Sequence, residues 1–330
     1  MFDTIAGKFE RGPYFPRNED RSPWETTSRE RFDTKLGQRI ESVVKILSLP
    51  EARIMIAGDS GLLRVESSLP KLLHGNNFTP IYDVQPALVK LRELVIDLVD
   101  GDIPDLIEAD YTRVDYCHNF PVGAALPDYI ATLGRVKFLK HHRVTDDFGA
   151  VEYWNDGGGR RIRVYDKFKE IQAHEKRTVP EAFGLLRYEI QLRKKSQYLQ
   201  NRLSNKSLTL GDVLNPRVGY SVIVETLNKM CLDLRFATQD SARVLLDDQF
   251  GPRKATRLLG ILRRFESEGM EGLRTVFSRS TYYADKRDLR ALGLWPPSAT
   301  ETDLPGLVMP SLEDLFPLDL VSPVISEATA

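Results

Sequence analysis

One short stretch of the sequence, RIRVYDKFKEIQ (161–172), spaces a tyrosine and several cations at regular intervals. Read as a β-strand, it places alternate residues on one face. That face carries Arg161, Arg163, Tyr165, Lys167 and Lys169. Tyrosine is a covalent nucleophile once its phenol is activated, and nearby cations favour the phenolate by lowering a pKa that is ordinarily about 10. Lys167 and Lys169 are therefore candidate catalytic residues, which activate the tyrosine or protonate a leaving oxygen.

Three further stretches each have a basic and an acidic residue separated by one position. They are Arg64-Val65-Glu66, Arg113-Val114-Asp115 and Arg187-Tyr188-Glu189. On a strand, the two charged residues of each stretch share a face. If these faces meet the face of Arg163 and Tyr165, they form one site with three carboxylates, several arginines and one tyrosine.

These residue types suit chemistry on a phosphodiester. Carboxylates are hard oxygen ligands that select Mg²⁺ or Mn²⁺, and Asp115, Glu189 and Glu66 are the candidate ligands. Such a metal polarises a phosphoryl oxygen and offsets developing charge. Arginine binds phosphate through paired hydrogen bonds. The candidate phosphate-binding residues are Arg113, Arg163, Arg187 and Arg193.

Each pattern also has an ordinary interpretation. An isolated basic–acidic pair on a strand is commonly a solvated ion pair, and tyrosine is frequent in half-buried strands. The coincidence of four such patterns favours a functional site, because perturbed charged groups cluster at such sites.

The composition allows two or three domains with a substantial core, since the chain has 330 residues of which 42% are hydrophobic. The net charge is −1, but the region after Arg290 holds six acids and no lysine or arginine. The preceding body is therefore mildly basic, which is compatible with a polyanionic partner. Two cysteines, Cys117 and Cys231, are too few for a disulfide framework or a cysteine-based zinc site. With no apolar signal core and no run of about 18 apolar residues, the chain is expected to be cytoplasmic.

Alternation and turn signals indicate the elements that must position these residues. The predicted strands are 53–58, 62–68, 111–120, 151–156, 160–168 and 185–193. The predicted helices between them are 87–99, 126–139 and a short helix before the last strand. This order predicts an α+β fold, with an antiparallel sheet and packed helices in a first domain of residues 1–205. Residues 11–34, which are rich in Pro, Arg, Glu and Ser, are expected to be irregular.

The sequence after residue 205 has helical periodicity. It predicts an all-α domain over 206–294, with helices at 219–237, 255–269, 271–280 and 281–294, the last three forming a compact unit. Its basic and aromatic residues are candidates for DNA contact, namely Arg279, Tyr282, Tyr283, Lys286 and Arg287, with core packing as the alternative for the tyrosines. The acidic, proline-rich residues 295–330 predict an extended or disordered tail, unless SLEDLFPLDL (311–320) docks on a partner or on a basic patch of the body.

Several of these stretches together resemble the gene II replication initiators of filamentous phages, also called the gene II/X family of phage and plasmid replication proteins. They are RVESSLPKLLHGNNF (64–78), RVDYCHNF (113–120), and VYDKFKEIQAHEKR (164–177) followed by LLRYEIQLR (185–193). The similarity extends into residues 254–294, which resemble the helical C-terminal region of that family.

The resemblance implies a rolling-circle replication initiator that acts in a bacterial host. Such proteins nick one strand of double-stranded DNA at the origin, remain linked to its 5′ phosphate through a tyrosine, and later rejoin the displaced strand into a circle. The family's tyrosine–x–lysine segment matches Tyr165-Asp166-Lys167, and Asp115 and Glu189 match acidic positions of its motifs, whereas Glu66 is an extrapolation from the strand pattern. The expected partners are locally single-stranded origin DNA and, as further candidates, the host replication helicase and polymerase.

The histidines depart from the pattern of many rolling-circle nickases, which bind a metal through a His–apolar–His motif. The chain has no such motif, and His118 lies on the opposite strand face from Asp115. Two other activities remain open, namely a metal-dependent nuclease that uses water and an origin-binding regulator without enzymatic activity.

Overall fold

The computed structural model describes residues 1–10, 12–17, 23–33, 38–134, 139, 141–145, 148–230, 239–276, 278–292, 294, 304 and 306–316. The strands are β1 (Phe2–Phe9), β2 (Phe15–Pro16), β3 (Glu25–Asp33), β4 (Gln38–Ser48), β5 (Ala52–Ala57), β6 (Leu62–Ser68), β7 (Val99–Asp100), β8 (Asp110–Pro121), β9 (His141–Thr145), β10 (Ala150–Trp154), β11 (Arg160–Asp166) and β12 (Leu185–Arg193). Ten of them form one antiparallel sheet in the order β3-β4-β5-β6-β1-β8-β12-β11-β10-β9, and β2 pairs with β7.

Helices follow the strands within the first two thirds of the chain and dominate its last third. They are α1 (Leu69–His74), α2 (Gln85–Leu98), α3 (Leu126–Leu133), α4 (Lys167–Glu175), α5 (Tyr198–Arg202), α6 (Leu210–Val213), α7 (Pro216–Met230), α8 (Gln239–Gln249), α9 (Pro252–Val276), α10 (Arg279–Ala291) and α11 (Leu312–Leu315). Within the described residues, no helix is both long and apolar enough to cross a membrane. The sheet with its helices confirms the predicted α+β fold and the helical C-terminal region.

The two faces of the central strands have different partners. Along β8, Tyr116 and its same-face neighbours are buried against helices. The Tyr116 hydroxyl donates a 2.7 Å hydrogen bond to the Val213 carbonyl at the end of α6. Helix α7 also approaches closely here, since a Cβ on Gly219 would lie 3.0 Å from the Tyr116 ring. The opposite face of the sheet is consequently left for polar residues.

The main core lies between the sheet and its helices, while α8, α9 and α10 form a separate apolar cluster. In that second cluster Tyr282 is buried, so core packing is the correct interpretation of this residue. Tyr283 is 56% exposed, and its contact with DNA stays a prediction. The predicted domain limits likewise remain predictions.

Three local predictions were wrong. Residues 25–33 form β3 instead of an irregular segment, because they pair along their whole length with β4. The two helices predicted at 255–269 and 271–280 are one helix, α9, since each interior glycine costs only about 1 kcal/mol and does not break a helix by itself. The compact three-helix unit predicted for this region therefore consists of α8, α9 and α10. Finally, α3 ends at Leu133, before the predicted end at residue 139.

Part of the predicted tail is ordered. The side chains of Leu304, Leu307 and Phe316 are buried in the main core, and the Tyr220 hydroxyl donates a 3.1 Å hydrogen bond to the Pro310 carbonyl. The prediction of disorder is therefore wrong for residue 304 and residues 306–316. This segment packs through apolar side chains rather than through a basic patch, and the remainder of 295–330 lies outside the described residues, as does Cys231.

Candidate active site

The pairing of β11 with β12 brings the tyrosine and two of the arginines together. Tyr165 lies opposite Arg187, and Arg163 lies opposite Glu189. Directly opposite residues of an antiparallel pair point to the same face, with Cβ atoms about 5 Å apart. The tyrosine and the arginine–glutamate pattern of β12 therefore meet on one face, as the sequence predicted.

Strand β1 connects the remaining two patterns. Its residue Ala6 lies between Glu66 of β6 and Arg113 of β8, and Asp115 follows Arg113 on the same face. On the other side, Arg113 lies opposite Arg193 of β12. All four patterns thus share one polar face, and the expectation that they meet is confirmed.

This face holds a cavity of about 430 Å³. Its charged and nucleophilic wall includes Asp3, Glu66, Asp115, Tyr165, Lys167 and Glu189. A cavity of this size, lined by acids, cations and a tyrosine, can accommodate a nucleotide phosphate with its sugar.

Tyr165 is buried at the end of β11, with 2% of its surface exposed. Its hydroxyl donates a 2.9 Å hydrogen bond to Glu189 Oε2. The Arg163 guanidinium lies 5.1 Å and the Lys167 ammonium 5.7 Å from the centre of its ring. The ring of Phe148 packs edge-on against it. The side chain is therefore fixed in one position inside the cavity wall.

The expected effect of the cations on Tyr165 is wrong in this structure. Burial raises the pKa of the Tyr165 phenol well above 10, and the neighbouring Glu189 charge adds to the increase, while Arg187 opposes it. The desolvation of a buried phenolate outweighs the attraction of the cations. The phenol consequently stays protonated, and its hydrogen bond places the Glu189 carboxylate 2.9 Å from the hydroxyl oxygen.

Lys167 and Lys169 do not continue the strand. The Asp166 side chain accepts a 3.1 Å hydrogen bond from the Lys169 amide and so caps the start of α4. Lys167 is buried, lines the cavity and forms a 2.8 Å ion pair with Glu170. Lys169 points to solvent, with 60% of its side chain exposed. Lys169 does not line the cavity, because a helix rotates successive residues away from one another instead of alternating them, and this position argues against its predicted catalytic role.

Arg113 joins two of the predicted metal ligands. It donates a 2.7 Å hydrogen bond to Glu66 and a 2.9 Å hydrogen bond to Asp115. Burial raises the pKa of the Asp115 carboxyl to about 7; the bonds from Arg113 oppose this shift, whereas the charges of Glu189 and Asp3 add to it. Burial of the Asp115 carboxyl therefore outweighs the stabilisation that Arg113 gives to its charged form.

Arg187 supports the site from beneath. Its side chain is completely buried and donates hydrogen bonds to Asp3 Oδ2 (2.7 Å) and the Asn77 carbonyl (2.8 Å). Its Nε lies 3.9 Å from Glu189 Oε2. It does not belong to the cavity wall, so it has the position of a buried support and not that of the predicted phosphate ligand. Arg163, in contrast, lines the cavity and bonds to Glu152 at 2.9 Å.

The donor types of the site fit Mg²⁺ or Mn²⁺, because the carboxylates of Asp3, Asp115 and Glu189 are hard oxygen donors that line one cavity. Their arrangement is not that of a preformed metal centre. Within the described residues, no group of three or more His, Cys, Asp or Glu side chains is placed to hold a metal ion. The arginines that bond to these carboxylates take the place of a cation in this structure.

Residues 18–209, more than half of the chain, match the family model for the N-terminal part of the replication-associated gene II protein of filamentous phages. The chain belongs to this phage replication family. Membership implies a role in the initiation of rolling-circle replication. No curated protein matches the chain.

The match to the gene II family contains Tyr165, Asp115, Glu189 and Glu66, but not Asp3. Sequence reasoning also missed Asp3, because the stretch FDTIAGKF of β1 shows no regular alternation of polar and apolar residues. Glu170 also lies in the cavity wall, paired with Lys167.

Of the histidines whose side chains the structure of this gene II family member describes, none lines the cavity. His118 is buried on the helix-covered face of β8, opposite Tyr188 and edge-on to Phe120. Its Nδ1 has no hydrogen-bond partner within the described part of the chain. This position supports a structural role for His118.

Proposed function

We propose that the protein initiates rolling-circle replication by nicking one DNA strand at the origin, with Tyr165 as the nucleophile. The hydrogen bond of 2.9 Å from the Tyr165 hydroxyl to Glu189 carries this proposal. It gives a buried tyrosine its own proton acceptor inside a cavity that also contains cations and carboxylates. This is the arrangement of an activated nucleophile with a neighbouring base.

In the cleavage step, the Tyr165 oxygen attacks the scissile phosphorus and its proton passes to Glu189. The new oxygen–phosphorus bond forms as the bond to the 3′ oxygen breaks, which leaves a 5′-phosphotyrosine. Lys167 donates a proton to the departing 3′ oxygen. Burial lowers the pKa of the Lys167 ammonium, with Arg187 adding to this effect and Glu170 opposing it, so the lysine is a better acid than in water.

Rejoining is the reverse reaction. A 3′ hydroxyl attacks the phosphotyrosine, the tyrosine leaves and recovers its proton from Glu189, and Lys167 takes up the proton of the hydroxyl. One phosphodiester is exchanged for another through the protein linkage. The reaction therefore needs no external energy source.

Mg²⁺ or Mn²⁺ remains the proposed cofactor, with Asp115 and Glu189 as ligands and Glu66 as a further candidate. When bound, such an ion stabilises negative charge on the phosphoryl oxygens. Arg113 and Arg163 lie in the same wall and position the phosphate.

The test is incubation of the wild-type protein and the variant Tyr165→Phe with end-labelled origin DNA and Mg²⁺, followed by a denaturing gel. The wild type is expected to give a protein-linked band and the variant none. Tyr188→Phe is the matched control, because Tyr188 lies on the neighbouring strand but faces the core, where its hydroxyl contacts Met230 Sδ at 3.3 Å.

Other outcomes identify the competing activities. A covalent band that persists in Tyr165→Phe contradicts the tyrosine assignment. A nick with a free 5′ phosphate indicates a nuclease that uses water. Binding of the origin without any nick in Mg²⁺ or Mn²⁺ indicates a regulator.

A further inference from the structure

A second cavity, of about 340 Å³, opens on the same sheet face. It is lined by Arg64, Glu66, Thr112, Arg113, Arg193 and Lys195. Glu66 and Arg113 also line the cavity of Tyr165, so the two cavities adjoin. We call the second cavity the basic groove.

The basic groove has an excess of positive charge. Its lining contains four cations and one carboxylate, and that carboxylate, Glu66, already bonds to Arg113 at 2.7 Å. Arg193 and Lys195 are exposed and have no ion pair with another described residue. The adjacent Lys194, in contrast, pairs with Asp110 at 3.3 Å. Two exposed cations are thus available to an anion that enters the groove.

Strand pairing concentrates like charges around the groove. Arg193 of β12 lies directly opposite Arg113 of β8, and Arg64 of β6 lies directly opposite Lys8 of β1. Like charges at opposite positions of an antiparallel pair destabilise the sheet. Carboxylates offset part of this repulsion, since Arg113 bonds to Glu66 and Asp115 and Arg64 lies 3.4 Å from Glu66. An anion bound beside Arg193 would offset more of it.

The Arg193 end of the groove is too far from Tyr165 to hold the scissile phosphate. Arg187 is the β12 residue opposite Tyr165, and Arg193 follows it by six positions along the strand. At about 3.3 Å per residue, this separation is on the order of 20 Å. An anion in the groove therefore lies several nucleotides away from the reacting group.

We propose that the basic groove binds a backbone phosphate of the cleaved DNA strand, several nucleotides from the scissile phosphate. The inference rests on the proposed nicking function and extends it to the path of the substrate. Arg193 and Arg64 suit the ligand, because the planar guanidinium matches phosphate geometry with paired hydrogen bonds. The contact fixes the register of the strand and is independent of base sequence.

The test uses a fluorescent oligothymidylate and the Tyr165→Phe protein, so that binding is measured without cleavage. The charge-removing substitutions Arg193→Gln and Lys195→Gln are introduced together. Because each phosphate contact in single-stranded DNA contributes about 0.7 to the slope of log K against log salt, loss of the one proposed contact is expected to lower the slope by about 0.7. Both residues are exposed, so the folded state should be retained, as checked by thermal unfolding.

The matched control carries Arg217→Gln and Lys229→Gln, which remove two charges from α7 on the helix-covered face. Its salt slope is expected to equal that of the parent protein. An unchanged slope in the groove variant, or an equal decrease in both variants, overturns the proposal. Inorganic phosphate is added as a competitor. If it abolishes the difference in salt slope between the parent and the groove variant without releasing the oligonucleotide, the groove binds a small anion, and the proposal is overturned.

The proposed nicking function is tested separately, by the covalent band that the wild-type protein forms with origin DNA. In that assay the groove variant is expected to need a higher DNA concentration for half-maximal nicking. Absence of the covalent band in the wild type contradicts the tyrosine mechanism, while the salt slope still reports whether the groove binds DNA.

Discussion

The Tyr165 hydroxyl donates a hydrogen bond of 2.9 Å to Glu189 Oε2, and this contact changes the role expected of both residues. The sequence suggested a phenolate stabilised by cations and a glutamate that binds metal. In the folded protein the phenol is protonated, and the glutamate is the group that can accept its proton. In the proposed mechanism, activation of the tyrosine therefore depends on Glu189 as well as on the surrounding cations.

The first prediction concerns Glu189→Gln. The amide retains the shape and accepts a hydrogen bond but does not take up the proton, so the nicking rate is expected to fall about 10²–10⁴-fold. Single-turnover nicking with pre-bound origin DNA measures this rate. Titration with Mg²⁺ separates the two roles of Glu189: a rate that excess metal restores indicates a lost ligand and contradicts the role as base.

The second prediction compares two lysines of α4. Lys167→Met removes a buried ammonium beside Tyr165 and leaves Glu170 without its 2.8 Å partner, so nicking is expected to fall at least tenfold, by the scale of general acid catalysis. Lys169→Met makes the same chemical change on the solvent side of the helix, and its rate is expected to match the wild type. Equal losses in the two variants would contradict the assignment of the general acid to Lys167.

The third prediction concerns the buried ion pair of Asp3 and Arg187. Asp3→Ala leaves the guanidinium of Arg187 buried without its charged partner, and the expected loss in the free energy of unfolding is about 3 kcal/mol. Urea unfolding measures it. In a double-mutant cycle with Arg187→Met, the combined loss should be smaller than the sum of the single losses. Additive losses would show that the two side chains do not interact.

Alternation along single strands could be read from the sequence, because side-chain direction within a strand is a local property. It correctly placed Arg163 with Tyr165 and Arg113 with Asp115. The register between β1, β8 and β12 could not be read, since it is set by contacts between residues far apart in the chain. For this reason the basic–acidic patterns were found, whereas Asp3 on β1 was not.

The sequence at the end of β11 also contains a local signal for the start of a helix, which conflicts with the strand alternation of the lysines. Asp166 is a favourable N-cap residue, and Glu170 lies in the first turn after it, which is typical of a helix start. This signal separates Lys167 from the strand pattern. The burial of Lys167 and exposure of Lys169 depend on tertiary packing and could not be predicted from the spacing of the lysines.

The fourth prediction concerns pH and His118. Burial is the main cause that lowers the pKa of His118 from 6.5 to about 4, and the amino terminus and Arg187 add to it. The unfolded chain therefore binds a proton below pH 6.5 that the folded protein does not bind, and stability is lost as the pH falls from 6.5 towards 4. The full shift corresponds to about 3 kcal/mol.

His118→Phe is expected to remove this contribution, because phenylalanine fills a similar volume beside Phe120 and does not titrate. The measurement is the free energy of unfolding in urea, for both proteins, above and below pH 6.5. The expected result is a smaller loss for the variant on acidification. Parallel pH curves for the two proteins would contradict the buried neutral state of His118.

The fifth prediction concerns the C-terminal segment of residues 304 and 306–316. Phe316 is 3% exposed and packs edge-on against Tyr82, with 5.4 Å between the ring centres. Phe316→Ala is expected to cost about 3 kcal/mol of packing, which corresponds to roughly a hundredfold larger population in which the segment is detached. Limited proteolysis of the native protein measures this population, because a protease cleaves the segment only when it detaches.

Val308 provides the control, since it lies in the same segment but is 66% exposed. Val308→Ala should leave the rate of cleavage unchanged. If Phe316→Ala accelerates cleavage without lowering origin nicking, the segment stabilises the fold independently of the site. If nicking falls in proportion to detachment, the segment is needed to keep the sheet and its cavity in the active arrangement. Equal cleavage rates in the wild type and in Phe316→Ala would contradict the anchoring role of the aromatic contact.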